Sequence, residues 1–433
     1  MDARTAQALI RFGLGRRGEE PLPTDPVAWL QAQVEGEDTA AFAGLPTVSD
    51  GLTLLREQLR LNLPPGTTLV GPVYQQDVRA QTELLLTTEA PFRERLVWFW
   101  ANHFTVSTRQ PQCYATVGPF VREAIRPYVT GPFLAMLVAV MRHPAMLVYL
   151  DNAGSVGPNS TAGKGQKRGL NENLARECLE LHTLGVDGGY TQADVTELAR
   201  VISGWSVDMD RLYPGFLFRP ATHEPGGKTL LGRRVPPGEA GGIAALEMLA
   251  NHPATHRHLA VKLVRHFVAD VPPPGAVAAV EGVLRDTGGD LGAASIALLH
   301  LPEAWEPLGK VRTPQDYAVA ALRALDLPAE ATVPPAGMLN GVLTGLGQPV
   351  WAAPLPNGWA DDAGGWTGPE AAMRRVDWAY SVSGRVGDRD AADVAEAALG
   401  PLLTAGTRDA LHGAGSRRDA LALLLSSPEF QRR

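Results

Sequence analysis

Residues 171–207 read NENLARECLELHTLGVDGGYTQADVTELARVISGWSV and predict two helices joined by a glycine-rich turn. Plotted at about 100° per residue, the polar residues of the first helix fall within an arc of about 140°, and the opposite side is apolar. Arg176 lies four residues from both Glu172 and Glu180, so the charges of this polar side interlock. The segment therefore predicts a helix buried along one side, whose polar side is either a stripe of ion pairs or one wall of a site.

The same helical period recurs along most of the chain. It predicts helices over residues 3–12, 26–35, 50–62, 72–88, 91–105, 116–126, 132–142, 171–184, 191–204, 239–251, 254–268, 274–286, 313–326, 368–384, 388–402 and 416–426. Period-2 alternation is almost absent, and the best strand candidates are 215–219 and 229–235. We therefore expect a mainly α fold. The chain should form a large single-domain multi-helix bundle over 1–433, with central helices in 91–205, long loops and at most short β-hairpins.

Three segments read as long loops, namely 151–170, 205–240 and 347–367. Loops of this length inside a domain are more often functional or disordered than incidental. The last one contains three tryptophans, which indicates that it packs against something. We expect the three loops to lie at one end of the helical body.

The composition is that of a globular protein, with 45% hydrophobic residues, 20% charged residues and a formal net charge of −7. No run of Lys or Arg predicts a nucleic-acid partner, and no apolar run is long enough to predict membrane insertion. The two cysteines lie far apart, which argues against a disulfide framework or a zinc site built on sulfur. No signal peptide is visible, so the sequence as written predicts a cytoplasmic protein, or an exported one if the true start lies upstream.

The stretch RERLVWFWANHF, residues 93–104, has large apolar side chains on all sides of its helix and belongs in an interior. Asn102 and His103 at its end must find hydrogen-bond partners there. One interpretation is a core histidine that a backbone carbonyl satisfies. The other is that both side chains reach a polar pocket enclosed by aromatic residues.

Glu177 and Glu180 form an i, i+3 pair that can point to one side of its helix. Such a pair could divide acid and base roles, or it could bind a divalent cation. A metal site would need further ligands, and His182 lies about 200° around the helix from Glu180. An ion-pair stripe is the alternative.

Two groups of histidines remain. The loop 222–232, THEPGGKTLLG, places His223, Glu224 and Lys228 around flexible glycines, which either admit a ligand or form an ordinary turn. A second set consists of His252, His256, His258 and His266. Its one metal-ligand spacing is the i, i+4 pair His252 and His256, which lacks the acid of an HExxH motif, so surface and capping roles are favoured.

Four blocks of the sequence are familiar together. They are RERLVWFWANHF (93–104), the region from YLDN (149–152) to NENLARECLELHTLGVDGGYTQADVTELARVISGW (171–205), HEPGGKTLLG (223–232) and QPVWAAPLPNGWADDAGGW (348–366). In these blocks the chain resembles, end to end, a bacterial domain of unknown function, number eighteen hundred in its series.

The resemblance implies a helical protein without an established activity. Many members look exported, and their genes often adjoin one for a protein similar to alkaline phosphatases and sulfatases, which implies a companion of that fold. The family's distinctive polar residues fall on Asn102, His103, Asn171, Glu172, Asn173, Arg176, Glu177, Glu180, His223, Lys228, Asn357 and Trp359. The chain departs from the family at Ala101, where members often have histidine, and at Glu224, where they often have aspartate.

The expected site is a polar cavity with the tryptophan-rich loop as its rim. If the protein is an enzyme, a hydrolase or transferase fits these residue types best. Its predicted catalytic residues are Glu177, Glu180, His103 and His223, and its predicted substrate-binding residues are Asn102, Asn173, Arg176, Lys228, Asn357 and Trp359. No cofactor is identified, and a divalent metal is kept as an alternative. The competing hypothesis is a non-catalytic helical scaffold or partner protein.

Overall fold

The computed structural model describes residues 1–40, 42–61, 63–64, 67–165, 169–327, 338–387 and 389–433. The predicted end of helix 50–62, part of the loop 151–170 and the predicted start of helix 388–402 include positions outside the described residues.

Helices dominate the described part of the chain. The first ten are α1 (Ala3–Gln7), α2 (Pro26–Glu35), α3 (Val48–Arg60), α4 (Gly71–Thr87), α5 (Pro91–His103), α6 (Val117–Phe120), α7 (Phe133–Arg142), α8 (Pro144–Tyr149), α9 (Asn173–Glu177) and α10 (Gln192–Ile202). The others are α11 (Glu239–Ala250), α12 (Pro253–Phe267), α13 (Pro274–Asp286), α14 (Leu291–Leu299), α15 (Pro314–Ala324), α16 (Met338–Gly345), α17 (Pro369–Ser383), α18 (Ala391–Leu399), α19 (Ala405–His412) and α20 (Arg417–Ser426). The prediction of a mainly α fold is confirmed, and α8, α14, α16 and α19 were not predicted.

Local sequence explains where many helices begin. Helix α10 starts with a capping box, in which the Thr191 hydroxyl accepts from the backbone N–H of Asp194 and the Asp194 carboxylate accepts from that of Thr191. Helix α2 follows Asp25, whose carboxylate accepts from two backbone N–H groups of the first turn. These caps satisfy donors that the helix itself leaves unpaired.

Three helices continue directly into a wider π-helical turn. These π-turns are Ala8–Phe12 after α1, Val121–Ile125 after α6 and Cys178–His182 after α9. In the last of them, the Thr183 hydroxyl donates to the Cys178 carbonyl at 2.7 Å and closes the turn. A π-turn changes which residues share a helix face, and such turns are frequent at functional sites.

Two short antiparallel hairpins make up the β structure of the described residues. Strand β1 (Trp205–Asp208) pairs with β2 (Gly215–Phe218), and β3 (Lys228–Leu230) pairs with β4 (Arg233–Val235). The strand candidates 215–219 and 229–235 correspond to β2 and to the second hairpin, whereas β1 was not predicted. The expected loop 205–240 is therefore mostly two hairpins with their turns.

One contiguous apolar core extends from Ala6 to Phe430. Helix α5 lies within it, with Leu96, Val97 and Trp100 fully buried, as its apolar sequence predicts. None of the helices in the described residues has the length and apolarity needed to cross a bilayer.

A buried ion cluster ties the start of the chain to its last described residue. Arg95 of α5 contacts Asp316 of α15 at 2.5 Å, and their side chains are only 2% and 3% exposed. Arg433 contacts the second oxygen of Asp316 at 3.1 Å, and Arg95 also donates to the Gly13 carbonyl at 2.9 Å. Burial alone would raise the pKa of Asp316, but Arg433 and Arg95 outweigh it and hold that pKa below the ordinary aspartate value. The carboxylate is therefore ionised and compensates two buried guanidinium groups.

We predict that Asp316→Asn lowers the free energy of unfolding by about 3–5 kcal/mol, because it leaves buried arginine charge without a partner. Urea denaturation of the purified variant measures this. The control is Asp326→Asn, because Asp326 pairs with Arg17 and Arg389 while its side chain is 43% exposed. The control should cost less than about 1 kcal/mol, and equal losses in the two variants would contradict the prediction.

Candidate active site

The tryptophan-rich loop 347–366 packs against the end of α5 and the last turns of α12, and a small cavity lies between them. Its walls include Trp98, Phe99, Trp351, Trp359, His266 and Asp361. We call it the tryptophan cavity. Its volume is about 90 Å³, which is room for several waters or a small ligand.

Hydrogen bonds to the backbone of this loop connect it to the end of α5 and to the segment that follows α5. The Asn102 side chain accepts from the Trp359 N–H at 2.8 Å and donates to the Trp359 carbonyl at 3.0 Å. We call this pair of bonds the Asn102 clamp. Farther along, the Thr108 N–H donates to the Trp351 carbonyl at 2.8 Å, and the Ser107 hydroxyl donates to the Ala353 carbonyl at 2.7 Å. The cavity walls are therefore held by specific backbone contacts.

Trp351 adopts a left-handed backbone conformation, with φ at 49°. A bulky residue rarely takes this conformation because its side chain crowds its own backbone. Such strain persists only where surrounding contacts hold it, and it concentrates at functional sites. Here the two bonds that Thr108 makes to the Trp351 carbonyl, from its N–H at 2.8 Å and its hydroxyl at 3.2 Å, hold the residue.

A histidine–aspartate pair forms the polar side of the tryptophan cavity. His266 Nδ1 lies 2.8 Å from Asp361 Oδ1 and 2.9 Å from Oδ2. Because a carboxylate only accepts, Nδ1 carries the proton and donates it. The other ring nitrogen, Nε2, is buried and has no partner among the described residues. This leaves an unshared electron pair on Nε2 of the neutral ring.

Burial sets the charge state of this pair. It lowers the pKa of His266 to about 4, although Asp361 opposes the shift. For Asp361, burial alone would raise the pKa, but His266, Lys310 and Arg433 together hold it below the ordinary value. At neutral pH the pair is therefore a neutral imidazole beside an ionised carboxylate.

A second, larger cleft lies on the other side of the Asn102 clamp. It is lined by Lys262 and Arg265 of α12 and by Asn357, Trp366 and His103, and it shares Trp359 and Asp361 with the tryptophan cavity. We call it the basic cleft. Its volume is about 560 Å³.

His103 caps the π-turn that follows α9. Its Nε2–H donates to the His182 carbonyl at 3.2 Å, and the Nε2–H of His258 donates to the preceding carbonyl, that of Leu181, at 3.0 Å. These carbonyls end a helix and lack partners within it, so two imidazoles from α5 and α12 satisfy them. His182 is fully buried in this cluster, and neither of its ring nitrogens has a partner among the described residues.

The predicted acids of α9 lie on the outer, half-buried side of their helix. Glu180 accepts from the Tyr190 hydroxyl at 3.1 Å, and Arg176 pairs with Glu172 at 3.2 Å. Glu177 has no hydrogen bond or ion pair to any described residue, and burial raises its pKa. Neither acid lines the tryptophan cavity or the basic cleft. Asn173 is exposed and borders a shallow depression at the start of α9.

His223 and Lys228 lie in a third place, where they fasten the second hairpin. His223 Nδ1–H donates to the Ser203 carbonyl at 2.7 Å, and its Nε2 accepts from the Gly238 N–H at 3.0 Å. The Lys228 ammonium donates to the Glu224 carbonyl. The Glu224 carboxylate in turn accepts from Asn159, so the loops 151–170 and 205–240 lie together. No hydrogen bond among the described residues joins either of them to 347–367, which packs elsewhere.

The predicted site residues thus fall in three places. The structure brings Asn102, His103, Asn357 and Trp359 together at the basic cleft. Sequence reasoning missed the pairing of His266 with Asp361, because it assigned His266 to a surface and capping set. His252 does cap α12, but His256 is buried, and His258 and His266 are partly buried, so the surface assignment was wrong for these three. No three His, Cys, Asp or Glu side chains cluster as metal ligands in the described ranges.

A comparison with family models matches residues 7–432 to the family described as "Protein of unknown function (DUF1800)". The match confirms the resemblance drawn from the four sequence blocks. No curated protein and no solved structure matches the chain. The family's description states no activity.

We predict that acidification destabilises the protein through its buried imidazoles. Burial lowers the pKa of His182 to about 3 and that of His258 to about 4, whereas an unfolded histidine titrates near 6.5. Below about pH 6.5 the unfolded chain takes up protons that the folded chain does not. The free energy of unfolding should therefore be at its full value above that pH. As the pH drops toward 4, each buried histidine should lower it by about 1.4 kcal/mol per pH unit.

Urea denaturation between pH 7.5 and 4.5 measures this dependence. In His182→Phe the unfolded chain should take up about one proton fewer relative to the folded chain, because one buried imidazole is removed. The free energy of unfolding should therefore depend less steeply on pH. A profile that is equally steep in both proteins would contradict the assignment to His182.

We predict that Gly358→Ala opens the Asn102 clamp. A Cβ at Gly358 would lie 2.5 Å from the Asn102 carbonyl oxygen and 2.6 Å from its Oδ1, and φ there is +79°. The control is Gly347→Ala, where φ is +90° but a Cβ meets nothing within 4 Å. Both variants carry the backbone cost of about 1–2 kcal/mol, and only the first should lose a further 1–3 kcal/mol, roughly, from broken hydrogen bonds.

Hydrogen exchange of the Trp359 amide separates the two variants. It should accelerate in Gly358→Ala and stay slow in the control. Similar exchange rates in both would show that the clamp does not hold the loop.

Proposed function

The chain belongs to the DUF1800 family of proteins of unknown function, and from that premise we propose that it is an acid–base enzyme of the hydrolase or transferase type. The observation that carries the proposal is the Asp361–His266 pair at the tryptophan cavity, whose second ring nitrogen, the buried Nε2, has no partner among the described residues. Carboxylate–imidazole pairs of this kind activate water or a hydroxyl group in many unrelated enzymes.

In the proposed mechanism His266 is the general base. Asp361 fixes the ring with the proton on Nδ1, so Nε2 keeps an electron pair that would take a proton from a water or substrate hydroxyl bound within reach of it. As Nε2 takes up that proton, the ring becomes charged and the ionised carboxylate stabilises it. His266 then returns the proton to the leaving group.

The cavity walls define the substrate class of this proposal. Trp98, Trp351 and Trp359 offer flat apolar surfaces, and the amide side chains of Gln81 and Gln348 line the same space. Tryptophan faces suit a ring such as a sugar, and amides can bond its hydroxyl groups. We therefore favour a small ring-containing substrate with hydroxyl or ester groups.

The residues predicted from sequence enter this proposal differently. Asn102 and Trp359 would position the substrate, because they form the wall between the two cavities. His103 would support them through its bond to the π-turn. Glu177 and Glu180 remain a proposed acid–base pair for a separate centre, with Arg176 beside them and Tyr190 bonded to Glu180.

A non-catalytic helical scaffold is the competing proposal. It is favoured by the internal bonding of family-typical residues, since His223, Lys228, Glu172 and Arg176 all bond to neighbours in the chain. Such a scaffold would act with the companion of alkaline-phosphatase or sulfatase type that the family resemblance implies. It would bind that companion equally well with or without His266.

We predict that the wild-type protein hydrolyses at least one class in a panel of chromogenic esters, glycosides and phosphate esters. His266→Gln and Asp361→Asn should each lower kcat/KM by about 10²- to 10⁴-fold, the usual contribution of an acid–base group. His300→Gln is the matched control, because His300 is an exposed histidine outside both cavities. Circular dichroism and thermal melting verify that each variant folds.

Glu177→Gln distinguishes the two possible centres. It should retain full activity and a nearly unchanged melting temperature if His266 is the base. A large loss of activity in this variant, with full activity in His266→Gln, would instead identify Glu177 of α9 as the catalytic base. An inactive wild-type protein across the whole panel would favour the scaffold.

The acid limb of the pH–rate profile tests the same assignment. The neutral imidazole is the active form, and burial lowers the pKa of His266 to about 4. Activity should therefore persist at pH 5 and fall about tenfold per pH unit below 4. An acid limb near the ordinary histidine value of about 6.5 would contradict a buried base.

A further inference from the structure

Two cations on successive turns of α12 line the basic cleft. Lys262 and Arg265 are three residues apart, so their side chains leave the helix on one side. Both border the same space as Trp359 and Trp366, whose ring centroids lie 6.1 Å apart.

Neither cation has a hydrogen bond or ion pair to any residue in the described part of the chain. The buried Lys310, by contrast, contacts Asp270 at 2.5 Å. On the same helix, the exposed Arg257 pairs with Glu281 at 3.0 Å. On α12, the two cations without such partners are therefore the two that line the cleft.

The carboxylates at the cleft are already engaged by other donors. Asp361 holds His266 at 2.8 Å, and Asp362 accepts from the Gly365 N–H at 3.3 Å. The two cations of the cleft therefore have no hydrogen-bond acceptor among the residues that the structure describes.

The unpaired charge has an electrostatic cost for its surroundings. Burial lowers the pKa of Lys262 itself, although the charge of Asp361 partly opposes this shift. After burial, the Lys262 charge is the next cause that lowers the pKa of His103 and of His182. An anion in the cleft would remove this penalty, since it would stabilise the ammonium and the neighbouring groups together.

We infer that the basic cleft binds a small organic anion, a carboxylate or phosphate carried on a flat ring, with Lys262 and Arg265 taking the anionic group. The guanidinium of Arg265 can bind two anionic oxygens side by side, and the lysine ammonium adds a point charge. Trp359 and the exposed Asn357 border the space that the ring would occupy, where an indole face offers apolar contact.

This site does not depend on the proposed catalysis at His266. The two cavities share a wall at Asn102 and Trp359, but the cations line only the basic cleft. Anion binding can therefore succeed where the hydrolysis assay fails, and the reverse also holds.

Titration with four probes at constant ionic strength tests the inference. Inorganic phosphate and phenyl phosphate compare anions without and with a ring, and acetate and benzoate do the same for carboxylates. Tryptophan fluorescence and calorimetry report binding. We expect the ring-bearing anions to bind about tenfold more tightly than their ringless counterparts, and the better pair identifies the anionic group. No saturable binding by any probe at tens of millimolar would overturn the site, and equal affinities with and without the ring would overturn the role of the tryptophans.

Three variants locate the binding. Arg265→Gln and Lys262→Met should each weaken the best probe by about tenfold or more, and Arg257→Gln, which removes an equal charge from the same helix outside the cleft, should leave its affinity unchanged. Without ligand, Lys262→Met should melt at or above the wild-type temperature, because it removes an unpaired charge. Equal weakening in all three variants would show non-specific attraction and overturn the site.

Discussion

The structure depends on how it compensates the charge of its buried arginines. Asp316 holds Arg95 and Arg433 in the interior, and Arg95 reaches on to the Gly13 carbonyl. Because the carboxylate pairs with both guanidinium groups, it compensates two buried charges and connects distant parts of the chain. This ion cluster lies directly behind the tryptophan cavity, which Arg95 and Asp316 also line. The ion cluster therefore forms part of the cavity floor.

The π-turn after α9 supplies the second constraint on the site. Its last carbonyls need donors, and the only groups that reach them among the described residues are imidazoles of α5 and α12. Their bonds fix the relative positions of the helices on which His103 and His266 lie. The loop 347–366 then closes over this platform through the Asn102 clamp. The proposed site is thus held in place by contacts that also stabilise the fold.

Much of the helical architecture could be predicted from sequence, because amphipathic period and capping residues are local signals. Helix α2 was predicted over 26–35 and begins and ends there. Helix α14, LGAASIALL, was missed because it is apolar on nearly every side and shows no amphipathic stripe. The His266–Asp361 pair could not be predicted from sequence for a different reason. His266 and Asp361 are 95 residues apart, so no spacing could pair them, and only folding makes one the partner of the other. The i, i+4, i+7 spacing of His258, Lys262 and Arg265 predicts that they share one side of a helix. The sequence could not predict that Lys262 and Arg265 lack ion-pair partners.

The Asn102 clamp also has a kinetic consequence. Because the loop residues that wall the tryptophan cavity are bonded to the body of the protein, widening the cavity for an occupant larger than a few water molecules would break those bonds. Entry by that route would be limited by the frequency of loop opening, and the observed rate of association would level off as ligand concentration rises. A molecule captured in this way would also leave slowly, because the same bonds would have to break again.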